Sequence, residues 1–230
     1  MTKKAVCLIS GGLDSAVAAY IAKKQGYELY ALTFRYGQRH TKELSCAKKI
    51  AKEIGVKDHI FFNLDLQKFG GSSLLSSSSR QIENHALKDI GKTIPSTYVP
   101  ARNTVFLSLA LAFAEAIDGA AIFIGVNAVD YSAYPDCRPN YIRAYQHLAN
   151  LATKHGVEGK PIHINTPLLH LSKAEIIKAG VKLNVPFTKT WSCYRGDTKA
   201  CGRCDSCLLR LKGFQEAKIK DPIPYITKPD

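Results

Sequence analysis

The chain alternates two hydrophobic periodicities. Short, continuously apolar runs are followed by longer stretches in which apolar residues return every three or four positions. Residues 4–9 form the first run, a strand by its length, which ends abruptly at Ser10-Gly11-Gly12. Residues 15–25 place Val17, Tyr20 and Ile21 on one helical face, and Gly26 stops them. Residues 28–34 read as a second strand. Residues 41–54 space Leu44, Ala47, Ile50, Ala51 and Ile54 as a helix would, and Gly55 ends them. Residues 59–64 give a third strand. Residues 103–117 are apolar nearly all round, which predicts a buried helix. The fully apolar run 120–126 has the pattern of a strand in the middle of a parallel sheet. A helix over 140–155 and a strand over 162–165 follow. Ser172-Lys173-Ala174-Glu175 is a capping-box start for the next helix, and a last helix spans 208–217.

Repeated strand–helix units predict an α/β fold built on a doubly wound parallel sheet with right-handed crossovers. In such sheets ligands bind beyond the carboxyl ends of the strands. The loops at 10–15, 35–40 and 127–138 should therefore converge on one pocket. Residues 65–100 have weak periodicity and contain GGSSLLSSSSR. A loop this long is a lid or a disordered segment. We expect a mobile cover over the site, with plain disorder as the alternative.

Composition narrows the class. The 230 residues, 46% of them apolar, suit one α/β domain with a small appendage. We place the α/β domain at 1–190 and a C-terminal region at 191–230. No apolar run approaches the ~20 residues of a membrane helix. Lys3 and Lys4 precede an apolar run too short for an export signal, so a cytoplasmic protein without a membrane partner is expected. The net charge of +13 comes from 32 basic and 19 acidic residues. These are scattered without a run of five or six like charges, so most of the excess reads as solvated surface rather than a nucleic-acid site.

Two stretches carry specific chemistry. Ser10-Gly11-Gly12-Leu13-Asp14-Ser15 joins the first strand to the first helix. Two glycines permit a tight turn and close approach of a phosphate, and the helix start directs free N–H groups at it. Ser10 and Ser15 add hydroxyls. Asp14 beside a phosphate calls for a mediating cation, so Mg²⁺ is expected there. The Lys of a Walker loop and the G-x-G-x-x-G of a dinucleotide site are both absent. The second stretch is WSCYRGDTKACGRCDSC, which spaces Cys193, Cys201, Cys204 and Cys207 as C-x7-C-x2-C-x2-C. Four thiolates close a tetrahedral Zn²⁺ site. An iron–sulfur cluster is the alternative, although the C-x3-C-P continuation is missing. Arg195, Lys199, Arg203 and Arg210 lie nearby in sequence to balance the negative complex.

Three more segments fall at the expected pocket: 35–40, 98–103 and 130–138. Tyr131 and Tyr134 could stack on a flat ring. Asp130 or Asp136 could accept from a guanine-like edge, and Arg102 or Arg138 could pair with a carboxylate or phosphate. Lys173 opens a helix, where a cation opposes the dipole; a ligand phosphate would remove that conflict. Read as a solvated side chain, it should be replaceable by Ala with folding nearly intact.

The loop SGGLDS resembles the pyrophosphate loop of the N-type ATP pyrophosphatases. Their fold is Rossmann-like, of the adenine nucleotide alpha hydrolase-like kind; the loop grips the β,γ-pyrophosphate, and the α–β bond breaks to leave AMP. Together with YGQRH, VPARN, GVNAVDYSAYPDCR, TPLLHLSKAE and SCY…CGRCDSCLLR, spanning residues 8–211, it makes the chain similar to the 7-cyano-7-deazaguanine synthase family of queuosine precursor synthesis. The resemblance implies a cytoplasmic ligase. ATP would activate 7-carboxy-7-deazaguanine as an acyl adenylate, ammonia would give the amide, and a second ATP would give the nitrile. It implies ATP, Mg²⁺ and Zn²⁺ as cofactors, a homodimer, and no stable nucleic-acid partner. Ser10, Asp14, Ser15 and Lys173 would be catalytic. Ile9, Ser10, Gly11, Gly12, Leu13, Asp14, Ser15, Ala16, Val17, Ala18, Ala19, Gln38, His40 and Arg102 would hold the nucleotide. Asp130, Tyr131, Tyr134, Asp136 and Arg138 would hold the deazaguanine, and Cys193, Cys201, Cys204 and Cys207 the zinc. The family often carries Gly where this chain has Ala101. Cys7 lies in a buried strand and no glutaminase half is visible, which points to free ammonia. Two other readings stay open. One is a tRNA-thiolating enzyme of the same superfamily, with a persulfide on Cys137. The other is a non-catalytic zinc module that binds nucleic acid.

Overall fold

The structure is a computed structural model that describes residues 2–129, 133–196 and 198–227. Five parallel strands, β1 (Lys4–Leu8), β2 (Glu28–Arg35), β3 (Asp58–Asn63), β4 (Ala121–Phe123) and β5 (His163–Asn165), lie in the order β3-β2-β1-β4-β5. The helices are α1 (Leu13–Lys24), α2 (Lys42–Ile54), α3 (Arg102–Ala116), α4 (Pro139–Ala152), α5 (Lys154–Val157), α6 (Lys173–Lys182) and α7 (Asp205–Glu216). The strand order reverses between β1 and β4, and that gap is where the sheet can receive a ligand.

Alternation along β1 divides the core. Ala5, Cys7 and Ile9 join one buried cluster with α1, α2, α6 and α7. Val6 and Leu8 join the other, with α3 and α4. The expected doubly wound α/β sheet is thus present.

Four local expectations change. The helix over residues 103–117 is not buried all round: Ser108, Ala112 and Ala116 are exposed. Its outer face is apolar only because it carries small residues. The long helix over 140–155 breaks at Thr153, which is extended (φ −122°, ψ 148°) and whose hydroxyl accepts from Gly156 N to start α5. β4 ends at Phe123. Gly125 beyond it packs so closely on α1 that a Cβ there would lie 2.7 Å from Ser15 N. Residues 65–100 are irregular but packed rather than loose. Leu75, Ser72, Ser73 and Val99 are buried, Ser73 N donates to Ser96 O at 2.8 Å, and Arg39 N donates to Leu74 O at 2.9 Å.

The C-terminal region packs into the same core. Phe214 of α7 meets Phe187 edge-on at 5.5 Å. Arg210, 2% exposed, donates Nε and Nη2 to Asp221 at 2.8 and 3.0 Å and Nη1 to Thr190 Oγ1 at 2.9 Å. Its charge is therefore spent on holding the tail, so it does not balance the cysteine cluster as its place in the sequence suggests.

Candidate active site

Gly11 sits at φ +88°, and a Cβ there would lie 2.1 Å from Glu43 O. Both the dihedral and the close passage under α2 require glycine. Gly12 is the N-cap of α1 and brings no side-chain cap to the helix. The first turn of α1 thus keeps the unsatisfied N–H groups and positive dipole end that suit an anion. The two hydroxyls hold the loop's shape. Ser15 Oγ donates to Gly12 O at 3.0 Å and accepts from Ser10 N at 3.2 Å, and Ser10 Oγ lies 3.0 Å from it.

Asp14 has its cation already. Lys173 Nζ lies 2.8 and 2.7 Å from the two Asp14 carboxylate oxygens. Lys173 is buried at 6% exposure, not solvated. The ammonium therefore stands where Mg²⁺ was expected. Among the described residues, the four cysteines are the only group of three or more side chains able to hold a metal.

A cavity of ≈ 260 Å³ opens beside this loop, at the carboxyl ends of β1, β2 and β4. Ile9, Ser10, Gly12, Leu13, Asp14, Ser15, Gln38, His40, Arg102 and Tyr134 line it, as do Glu43 and Trp191. The three loops thus converge as the pattern predicts. Gln38 shapes the wall: its Oε1 accepts from Tyr36 N at 2.7 Å and its Nε2 donates to Phe34 O at 3.2 Å. Arg102 Nη1 donates to Tyr36 OH at 3.2 Å, and the guanidinium lies over the rings of Tyr36 and Phe106. Tyr134 OH pairs with Thr97 Oγ1 at 2.8 Å, and its ring meets Tyr98 edge-on.

Several expected contacts lie elsewhere. Ala16, Val17, Ala18 and Ala19 are buried in the core under α1, not in the cavity. Gly11 acts through its backbone. Asp136 faces the protein: its Oδ2 accepts from Asn103 N at 3.0 Å and caps α3 from a distance, so it is not offered to a ring. Arg138 is exposed at the start of α4 and does not line the cavity. Asp130 and Tyr131 lie outside the described residues.

Glu43, Trp191 and Gly125 escaped the sequence reading. Glu43 is pushed up to about 7, chiefly by burial, with Arg102 opposing and Cys193 adding to the rise. Its signal was a carboxylate in the first turn of an amphipathic helix beside the 35–40 loop. Trp191 is 2% exposed, and its Nε1 is sealed without an acceptor among the described residues, as is Arg102 Nε. A buried donor left unmet costs about 1–3 kcal/mol, and both nitrogens are covered by protein atoms rather than open to the cavity. Trp191 is the only tryptophan in the chain.

The thiols behave differently from one another. Burial, followed by Asp136, raises Cys137 to about 12, so it lacks the thiolate that persulfide transfer needs. Burial raises Cys7 to about 12 as well. In the cluster, the Sγ atoms of Cys193, Cys201, Cys204 and Cys207 all lie within 4.8 Å of one another and are buried. Cys193 is held well below the usual thiol range by Cys204 and Cys207, with help from the N–H groups of Cys201 and Arg195. Zn–S bonds of about 2.3 Å set a tetrahedral edge of about 3.8 Å, and Cys201 Sγ lies 3.9 Å from Cys207 Sγ. The spacing suits a single ion; a cluster of several irons would hold the sulfurs further apart.

Residues 4–218 match the family described as "Queuosine biosynthesis protein QueC". A curated relative from Geobacter sp., named 7-cyano-7-deazaguanine synthase, is 58% identical over 98% of this chain and 99% of its own length. One from Desulfatibacillum aliphaticivorans with the same name is 57% identical over 97% of each chain. Among solved structures, NMN synthetase from Francisella tularensis aligns at 20% identity and a TM-score of 0.46, covering 80% of this chain and 63% of that one. That likeness is too loose to carry any part of the assignment.

Proposed function

The chain belongs to the QueC family of queuosine biosynthesis proteins, and on that premise we propose that it is an ATP-dependent ligase that makes 7-cyano-7-deazaguanine from 7-carboxy-7-deazaguanine and ammonia. The observation that carries the reading is the near-identical length and high identity shared with curated 7-cyano-7-deazaguanine synthases. The cavity beside the glycine-rich loop supports it independently.

The geometry supports the following chemistry. A carboxylate is a poor acylating agent because oxide would have to leave; adenylation gives AMP as the leaving group. The first turn of α1, Ser10 and Ser15 receive the β,γ-pyrophosphate, and Lys173, two contacts from Asp14, neutralises charge that develops as it departs. Arg102, a cation on the cavity wall whose Nη1 donates to Tyr36 OH, is the side chain suited to hold a carboxylate or a phosphate oxygen. Tyr134, Gln38 and His40 complete the wall against which nucleotide and ring lie. Ammonia takes the acyl group and AMP leaves. The amide oxygen is then adenylated by a second ATP at the same loop, and loss of AMP and a proton leaves the nitrile. Mg²⁺ arrives as the nucleotide's counterion, because phosphates supply most of its ligands. Cys193, Cys201, Cys204 and Cys207 hold Zn²⁺ in a closed, four-thiolate site that supplies structure rather than reactivity. A homodimer and a cytoplasmic setting belong to the same reading, as does a division of roles between residues 1–190 and 191–230. The thiolating alternative is disfavoured by the high Cys137 pKa, and the non-catalytic one leaves the cavity unexplained.

The test uses carboxyl-¹⁸O acid with ATP and ammonium, followed by mass spectrometry. Label should appear in AMP and none in the nitrile. Label in orthophosphate with ADP would mean γ-phosphoryl activation and would overturn this account of the loop.

A further inference from the structure

We propose that Glu43 is the catalytic base of amide formation: its carboxylate receives ammonium in the cavity, takes one of its protons and so frees ammonia to attack the acyl carbon. The proposal rests on the reading that an acyl adenylate forms in this cavity.

Two observations and one chemical requirement converge. Glu43 is an open carboxylate. It is half-buried on the cavity wall, makes no hydrogen bond or ion pair with any described residue, and its oxygens are not sealed under protein atoms. Asp14, the other carboxylate among the described lining residues, is already held by Lys173. Next, Glu43 stands at the end of the cavity where the reacting carbon belongs. Its backbone oxygen presses on Gly11 of the phosphate loop, and its charge acts on Tyr36 and Arg102, both of which line the cavity. Finally, the chemistry needs a proton acceptor there. Ammonium has no lone pair. It gives one proton to the carboxylate, and the freed pair forms the C–N bond. The C–O bond to AMP breaks with its electrons on the phosphate oxygen, and the nitrogen sheds a second proton to water, which leaves the neutral amide. A carboxylate repels the phosphates and the substrate acid but attracts the one reactant that arrives as a cation. Partial burial makes it a stronger proton acceptor than an exposed carboxylate. The N–H edge of the deazaguanine also suits a carboxylate, but it lies at the far end of the bicycle from the reacting carboxyl. The test separates the two.

The zinc-loaded, full-length protein is assayed with two nucleophiles. Hydroxylamine is uncharged at neutral pH, traps an acyl adenylate as the hydroxamate and needs no proton removed before it attacks; ammonium does. Exchange of labelled pyrophosphate into ATP, driven by 7-carboxy-7-deazaguanine without any nucleophile, reads adenylation by itself. Glu43→Gln keeps the shape of the side chain and removes its charge. Its kcat/KM for ammonium should fall about 100-fold, the lower end of what a general base contributes, while hydroxamate formation falls far less. Both nucleophiles are read on one preparation, so their ratio does not depend on how much of the variant folds. Glu43→Asp, whose carboxylate is withdrawn by one methylene, should lower the same ratio by a smaller factor. A ratio equal to the wild type's in both variants would overturn the proposal. So would a raised KM for the acid with unchanged ammonium kinetics, which would assign Glu43 to the ring edge. Wild-type protein without pyrophosphate exchange would instead bring down the acyl-adenylate reading on which the proposal stands.

Discussion

Replacing Lys173 should unfold more of this protein's stability than any surface lysine would. Lys173 and Asp14 are 7% and 19% exposed at the side chain and meet through two contacts at 2.7–2.8 Å. Removing one partner of a buried pair costs about 3–5 kcal/mol, because the other charge stays behind. Asp14 keeps some access to water, so the low end applies, and Lys173→Met should lose about 3 kcal/mol. Lys173→Ala removes more. The lysine stem carries the contact between α6 and α7, and a Cβ on Gly213 would lie 2.3 Å from Lys173 Cγ. Three further methylenes at about 0.8 kcal/mol each bring the Ala variant to a loss of about 5 kcal/mol. Urea melts of the zinc-loaded protein, read as midpoint times slope, measure both. The same 3 kcal/mol should appear as a drop in Tm of about 6–12 °C. The double variant Asp14→Asn/Lys173→Met should recover at least half of the single Met loss, because both charges leave together. A Met variant within about 1 kcal/mol of the wild type would refute the buried-pair argument, and so would a double variant whose loss is the plain sum.

The remaining predictions concern the backbone and the metal. Ala101 holds the N-cap of α3 at φ +51°, ψ 24°, a left-handed conformation that costs a side-chain residue about 1 kcal/mol. Ala101→Gly should therefore stabilise slightly, by up to about 1 kcal/mol, and a lower Tm in that variant would contradict it. Elemental analysis should find close to one zinc per chain. Cys204→Ser, or prolonged chelation, should lower Tm sharply, since a four-thiolate site contributes folding energy directly; iron with acid-labile sulfide would contradict the single-ion geometry.

How far the sequence could be read follows from how far each interaction reaches along the chain. The order of strands and helices, the Ser172–Glu175 capping box and the glycine turn at 11–12 are set within a few residues and stand in the structure, while the ends of the 120–126 strand and the 140–155 helix do not. The cysteine cluster spans fifteen residues and was equally plain. What failed depends on partners far away. Arg210 seemed free for the thiolates until Asp221, beyond the end of α7, claimed it. Asp136 seemed free for a ring until Asn103 did. Asp130 and Tyr131 fall outside the described residues, so the ring edge is where the sequence still speaks alone. The most telling case is Lys173. A cation at a helix start conflicts with the dipole, and that conflict was visible locally. Its first resolution was not: Asp14 lies 159 residues earlier, in the first turn of another helix. Two helix starts thus meet, the carboxylate suiting one positive end and the ammonium balanced by it. On the proposed function, a polyphosphate entering beside Asp14 would give the ammonium two anions to face instead of one. On that reading the pair that stabilises the fold would also tie phosphate charge at the loop to the α6–α7 packing behind it.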